Sequence, residues 1–137
     1  MQSVPMAVVF KQQKRLELLG FGILETMLKV DVFVARTDPF HLMQMRRRVL
    51  QTTDPDGRTS FYVASPEDTI LAKLQWYRDG SGVSDRQWND VLGVLKVQGA
   101  ALDRAYLDEW AGELGLKDLL RRAVDDAGLP PAAAAGR

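Results

Sequence analysis

Four residues, Ser65-Pro66-Glu67-Asp68, divide this chain, because they spell out the start of a helix. A serine oxygen can accept from the open N–H groups of a first turn, proline fits the first helical position, and two acids meet the positive end of the dipole. Beyond them Ile70, Leu71, Leu74 and Tyr77 recur at helical spacing, until Asp79-Gly80-Ser81-Gly82 breaks the pattern. Ser84 with Gln87 reads as a capping box for a second helix, with Trp88, Val91, Leu92 and Leu95 on its buried face and Gly99 at its end. Asp103 caps a third, with Tyr106, Leu107 and Trp110 inward, and Leu116, Leu119, Leu120 and Ala123 stripe a fourth. The spacing predicts helices at about 66–78, 85–98, 103–113 and 116–127. From Pro130 the alanine run offers no core, so 130–137 reads as a disordered tail.

The front half carries strand patterning instead. Leu28-Lys29-Val30-Asp31-Val32-Phe33-Val34 alternates with period two, as a half-buried strand does. Aspartate is depleted in strands, so Asp31 needs a reason. One is a metal ligand aimed from a rigid strand. The other, favoured by the strand alone, is that this face is solvated or that Lys29 pairs with Asp31. Residues 6–19 read as a helix, apolar at Phe10, Leu16, Leu18 and Leu19, basic at Lys11, Lys14 and Arg15, and ended by Gly20 and Gly22. Residues 21–25 and 28–36 then read as an antiparallel hairpin. Asp38 and Pro39 read as the cap and first residue of a short helix running through His41 to Arg48. Residues 53–58 read as a turn and 59–64 as a strand.

Strands first and helices second is an α+β pattern: a small mixed or antiparallel sheet followed by a C-terminal bundle of about four helices. Residues 1–64 form the α/β part and 65–129 the helical part of the same domain. A sheet this small calls for a covering helix or further strands.

A length of 137 residues fits one domain or part of one. The lack of cysteine excludes disulfides and thiolate metal sites, and suits the cytoplasmic location expected here. A single histidine, His41, leaves no material for a His-rich zinc site, and no Ser-His-Asp triad forms unless it serves. No apolar run approaches the roughly 20 residues that cross a bilayer, and residues 4–10 are too short for a signal peptide. Net charge is zero, but residues 1–64 carry nine Lys/Arg against six Asp/Glu and residues 65–137 nine against twelve. Arg46-Arg47-Arg48 has no aromatic interleaved and reads as a solvated face rather than a nucleic-acid footprint. Trp76, Trp88 and Trp110 fall at core spacing or its edge. Gly80-Ser81 follows a helix rather than a strand, the wrong context for a phosphate turn.

Lys73, Arg78, Asp85 and Asp90 flank the loop between the first two predicted helices. Lys73 could hold a nucleotide phosphate while Asp85 orients Lys73 or a base. The same residues could form an ordinary surface ion pair worth about 0–1 kcal/mol, which spacing alone favours.

Three stretches suggest more: 25–34 (Glu-Thr-Met-Leu-Lys-Val-Asp-Val-Phe-Val), 64–74 (Ala-Ser-Pro-Glu-Asp-Thr-Ile-Leu-Ala-Lys-Leu), and 84–93 (Ser-Asp-Arg-Gln-Trp-Asn-Asp-Val-Leu-Gly) followed by Lys96-Val97-Gln98-Gly99. Over about residues 19–128 the chain resembles nucleotidyltransferase-like proteins, specifically uncharacterised bacterial ones related to the type IV toxin (abortive-infection) nucleotidyltransferases. The resemblance implies three carboxylates around divalent metal, with Asp31 matching the third. It implies that Lys73 and Asp85, with Asp90, match a later motif for nucleotide binding and site assembly, with Arg78 beside them. Magnesium and a nucleoside triphosphate are the implied cofactors. The family's Gly-Ser turn and Asp-x-Asp strand precede the equivalent of Phe21, and residues 1–20 supply neither, having no aspartate. The resemblance thus implies a truncated or degenerate member, inactive alone, binding nucleotide weakly, and associating as a homodimer or with a partner protein. The rival expectation is a non-catalytic interaction module, antitoxin-like or oligomerising, that pairs through an exposed strand edge.

Overall fold

The computed structural model describes residues 36–52 and 54–131, together with the backbone of 12–13 and 28–29. The chain divides into two compact units, Met1–Leu42 and Met43–Arg137. The architecture is α+β.

In the first unit β1 (Gln12–Gln13) pairs antiparallel with β2 (Leu28–Lys29), Gln12 opposite Lys29 and Gln13 opposite Leu28. The extended form of Leu28 and Lys29 agrees with the period-two reading. Gln12 and Gln13 correct it: they lie in a strand, where the sequence suggested a helix over 6–19. Glutamine is a good helix former, but helix propensity is a weak preference that a pairing strand overrides. Residues 21–25, expected as the partner strand, lie outside the described residues, as does Asp31. Helix α1 (Pro39–Arg47) begins as expected, with Asp38 accepting the His41 amide at 3.1 Å and Pro39 in the first position. The Asp38 carboxylate also meets His41 Nδ1 at 2.7 Å.

In the second unit β3 (Val49–Thr52) and β4 (Ser60–Val63) form an antiparallel hairpin. Its turn is Asp54-Pro55-Asp56-Gly57, with Gly57 at φ 68°. The Asp54 carboxylate accepts from the Arg58 and Thr59 amides at 3.1 and 3.0 Å. β4 was expected and β3 was not. Every residue of both strands is exposed, so β3 carries no alternation of burial to betray it.

Four helices follow: α2 (Pro66–Asp79), α3 (Asp85–Gln98), α4 (Arg104–Glu113) and α5 (Lys117–Asp126). The three side chains named as caps each accept an amide of the first turn. Ser65 takes Asp68 N at 3.1 Å, Ser84 takes Gln87 N at 3.3 Å, and Asp103 takes Tyr106 N at 3.0 Å. Ile70, Leu71, Leu74, Val91, Leu95, Leu107, Ala111, Leu116 and Ala123 are fully buried, close to the predicted stripes. Trp88 joins α3 to α5: its ring lies 4.9 Å from Tyr77 and under Arg122, and Nε1 donates to Asp126 at 3.1 Å.

Leu71→Ala is expected to destabilise the protein by about 2–5 kcal/mol, because it opens a cavity where nothing can collapse cheaply. Val97→Ala, at an 80% exposed position of α3, is expected to stay within about 0.5 kcal/mol. Urea unfolding of the two variants measures the contrast.

Candidate functional site

Lys73 projects from α2 toward α3. Its Nζ donates to Asp90 Oδ2 at 2.7 Å and to Gln87 Oε1 at 3.3 Å, and its side chain is only 12% exposed. Lys73 thus faces the helix that follows it across the loop. The periodicity of α3 decides which acid it meets. Gln87 and Asp90 are three residues apart and share a face. Asp85 is two residues before Gln87, so about 200° separates them around the axis. It lies exposed in the first turn of α3, while Lys73 reaches Gln87 and Asp90. The Gln87 oxygen is turned to Lys73 rather than back to the Ser84 amide, so only the serine half of the capping box forms.

Arg78 lies at the last turn of α2. Its Nη1 donates to the Leu114 carbonyl at 2.6 Å, and Nε meets Asp79 at 3.1 Å. It satisfies a carbonyl at the end of α4 and so ties two helix ends together. Asp31 lies outside the described residues. Among those described, no group of three or more His, Cys, Asp or Glu side chains is arranged to hold a metal.

The strongest polar constellation is one that the sequence did not reveal. It joins α1, α2 and α4 around Asp68, whose side chain is wholly buried. Tyr106 donates its hydroxyl to Asp68 Oδ1 at 2.6 Å, and Ser65 donates to Oδ2 at 2.8 Å. Arg47 lies over the Tyr106 ring, 3.7 Å from its centre. Its Nη2 donates to Glu67 Oε2 at 3.1 Å, and its Nε, buried without a hydrogen bond, lies 3.6 Å from Asp68 Oδ2. Glu67 Oε1 in turn accepts the Asp103 amide at 2.9 Å. One guanidinium thus faces two acids and stacks on an aromatic, while the acids accept from three further donors. A buried carboxylate is tolerable only when paired and hydrogen-bonded in this way. Sequence reading saw Glu67 and Asp68 only as dipole partners and Arg47 only as part of a basic run. Helix spacing could not join them, because Asp68 and Tyr106 stand 38 residues apart.

Two groups of the cluster titrate abnormally. Burial, and then the hydrogen bond to Asp68, push the Tyr106 hydroxyl well above its usual range. Burial alone would raise Glu67, but the Asp103 amide, its own amide and Arg47 outweigh it and hold the carboxyl below its ordinary value. Both shifts carry stability. The raised Tyr106 contributes fully below about pH 10, the unfolded value, and its share is lost as pH climbs toward the folded one. The depressed Glu67 contributes above about pH 4.3 and is lost as pH falls through the folded value. Stability is therefore expected to decline on both sides of neutrality. Tyr106→Phe should remove the share of the alkaline decline due to Tyr106. It should also cost about 1–3 kcal/mol at neutral pH, because a buried carboxylate oxygen loses its donor. Denaturant melts of both proteins across pH 3–12 test this, and an unchanged alkaline limb would count against the Tyr106 assignment.

No helix among the described residues is long and apolar enough to cross a membrane. Comparison of the chain with protein-family models, with curated proteins and with solved structures finds no match to any of them.

Proposed function

We propose that this chain is a nucleotidyltransferase-like protein that does not transfer nucleotide by itself and retains at most weak nucleotide binding around Lys73. The observation that supports this is the Lys73–Asp90 pair. A lysine held at 2.7 Å by a carboxylate of the next helix, and shielded from solvent, is a positioned cation rather than a loose surface one. Asp90 then orients Lys73, and Lys73 is the group that would face a phosphate. Asp85 and Arg78 have lesser parts, since Asp85 lies on another side of α3 and Arg78 is bound to the Leu114 carbonyl. Magnesium-assisted phosphoryl-type transfer rests on several carboxylates that hold the cations and on charge stabilisation. Asp31 is the one such carboxylate that the resemblance identifies here.

Incubation with labelled ATP, CTP, GTP or UTP, magnesium and a crude mixture of RNA and protein is expected to leave no label on any acceptor. Lys73→Ala is expected to weaken residual nucleotide binding more than Asp31→Ala does. Label transfer that vanishes in Asp31→Ala would overturn the proposal.

A second reading, a non-catalytic module that associates with another copy of itself, draws on the β3–β4 hairpin. Val49, Phe61 and Val63 lie on one face of it, each between 41% and 49% exposed. Among the described residues neither strand has a second neighbour, and an exposed apolar hairpin edge is a template for pairing. A two-fold dimer is the simplest product. Light scattering is expected to show concentration-dependent dimerisation that Phe61→Lys abolishes; a monomer at about 0.5 mM would exclude it, since a specific contact is half-formed at its Kd.

A further inference from the structure

The three arginines of the basic run do not share one fate. Arg47 turns to Glu67, Asp68 and Tyr106. Arg46 and Arg48 line an open pocket of about 370 Å³ with Met45 and Tyr62. Among the described residues that line it, the two ionised side chains are both cations. The sequence alone offers this run no aromatic platform; the hairpin supplies one. Residue pairing sets Leu50 opposite Tyr62, and the alternation of the strand puts position 48 on that same face. Arg48 accordingly lies over the Tyr62 ring, 4.5 Å from its centre, while its Nη1 donates to the Met45 carbonyl at 3.0 Å. The guanidinium is thereby held at two points before any ligand arrives, which lowers the entropic cost of binding. It keeps further donors in the fork that suits phosphate. Tyr62 remains 61% exposed, and Met45 is an adaptable apolar wall.

We propose that the pocket of Met45, Arg46, Arg48 and Tyr62 binds a mononucleotide, its phosphate on the two guanidiniums and its base against the part of the Tyr62 ring that Arg48 leaves open. The volume exceeds what an inorganic anion needs and falls in the range of small-molecule sites. The pairing of cations with an exposed aromatic matches a ligand that is anionic at one end and flat at the other. This site is separate from the Lys73 reading, because none of its residues belongs to α2 or α3.

Titration of the full chain with AMP at low salt, followed calorimetrically, tests it, with adenosine and inorganic phosphate as the two partial ligands. AMP is expected to saturate one site, with adenosine and phosphate each at least about tenfold weaker, since each lacks one of the two contacts. Arg46→Gln and Tyr62→Leu should each weaken AMP by about fivefold or more, whereas Arg121→Gln, an equal loss of charge at an exposed position of α5, should not. Thermal melts show that each variant is folded. Phosphate binding as tightly as AMP, or Tyr62→Leu binding AMP normally, would reduce the pocket to a plain anion site and overturn the proposal. So would the absence of saturation by about 10 mM AMP, where the binding free energy is under about 3 kcal/mol. Loss of AMP binding in Lys73→Ala but not in Arg46→Gln would overturn it in favour of the Lys73 site.

Discussion

The buried carboxylate of Asp68 is the constraint around which the second unit is organised. An ionised group with no water must have its oxygens satisfied by the protein. Here the satisfaction comes from Ser65 in the cap of α2 and from Tyr106 on α4, with Arg47 of α1 close by. None of these elements can slide without leaving a charge uncompensated. Apolar contacts between α2, α3, α4 and α5 supply most of the driving force, but they tolerate small shifts. The hydrogen bonds around Asp68 do not, so they set the register in which Arg47 and α4 meet α2. Glu67 adds a second fastening by accepting the amide that opens α4.

The same helix end that supplies Arg47 to this interior network also presents Arg46 and Arg48 outward. Their division follows from geometry: residue 47 is the last of a helix and 48 the first to leave it, so neighbouring side chains diverge. A run of like charges in sequence therefore becomes one structural cation and two surface cations. This outer pair stands next to a carbonyl at the negative end of α1, which Arg48 partly neutralises.

What the sequence revealed was local. The four later helices lie within about two residues of their expected bounds, because Ser65, Ser84 and Asp103 each act on amides three residues away. The α+β class followed from the order of patterns. β3 was hidden because Val49, Leu50, Gln51 and Thr52 bury neither face, which removes the period-two signal. Gln12 and Gln13 were misread because a two-residue pairing overrode a weak helical pattern. At the candidate site, the sequence set Lys73 against Asp85, whereas the turn of α3 brings Asp90 to it, because adjacent helices across a short loop face each other through residues that share one side. The Arg47, Asp68 and Tyr106 cluster was not legible, since its members come from three elements whose packing no local rule encodes.

Trp88 has a consequence of a different kind. Its indole faces Tyr77 on α2 and Arg122 on α5, and its nitrogen is held by Asp126 in the last turn of α5. Helix α5 is thus fastened through a chromophore rather than through aliphatic packing alone. Peeling α5 away would wet one side of the indole and free its N–H, while Tyr77 stayed in place on the other. Detachment of α5 and collapse of the core would then give distinct spectral signatures, making the native protein its own reporter of whether α5 comes off as a separate cooperative unit.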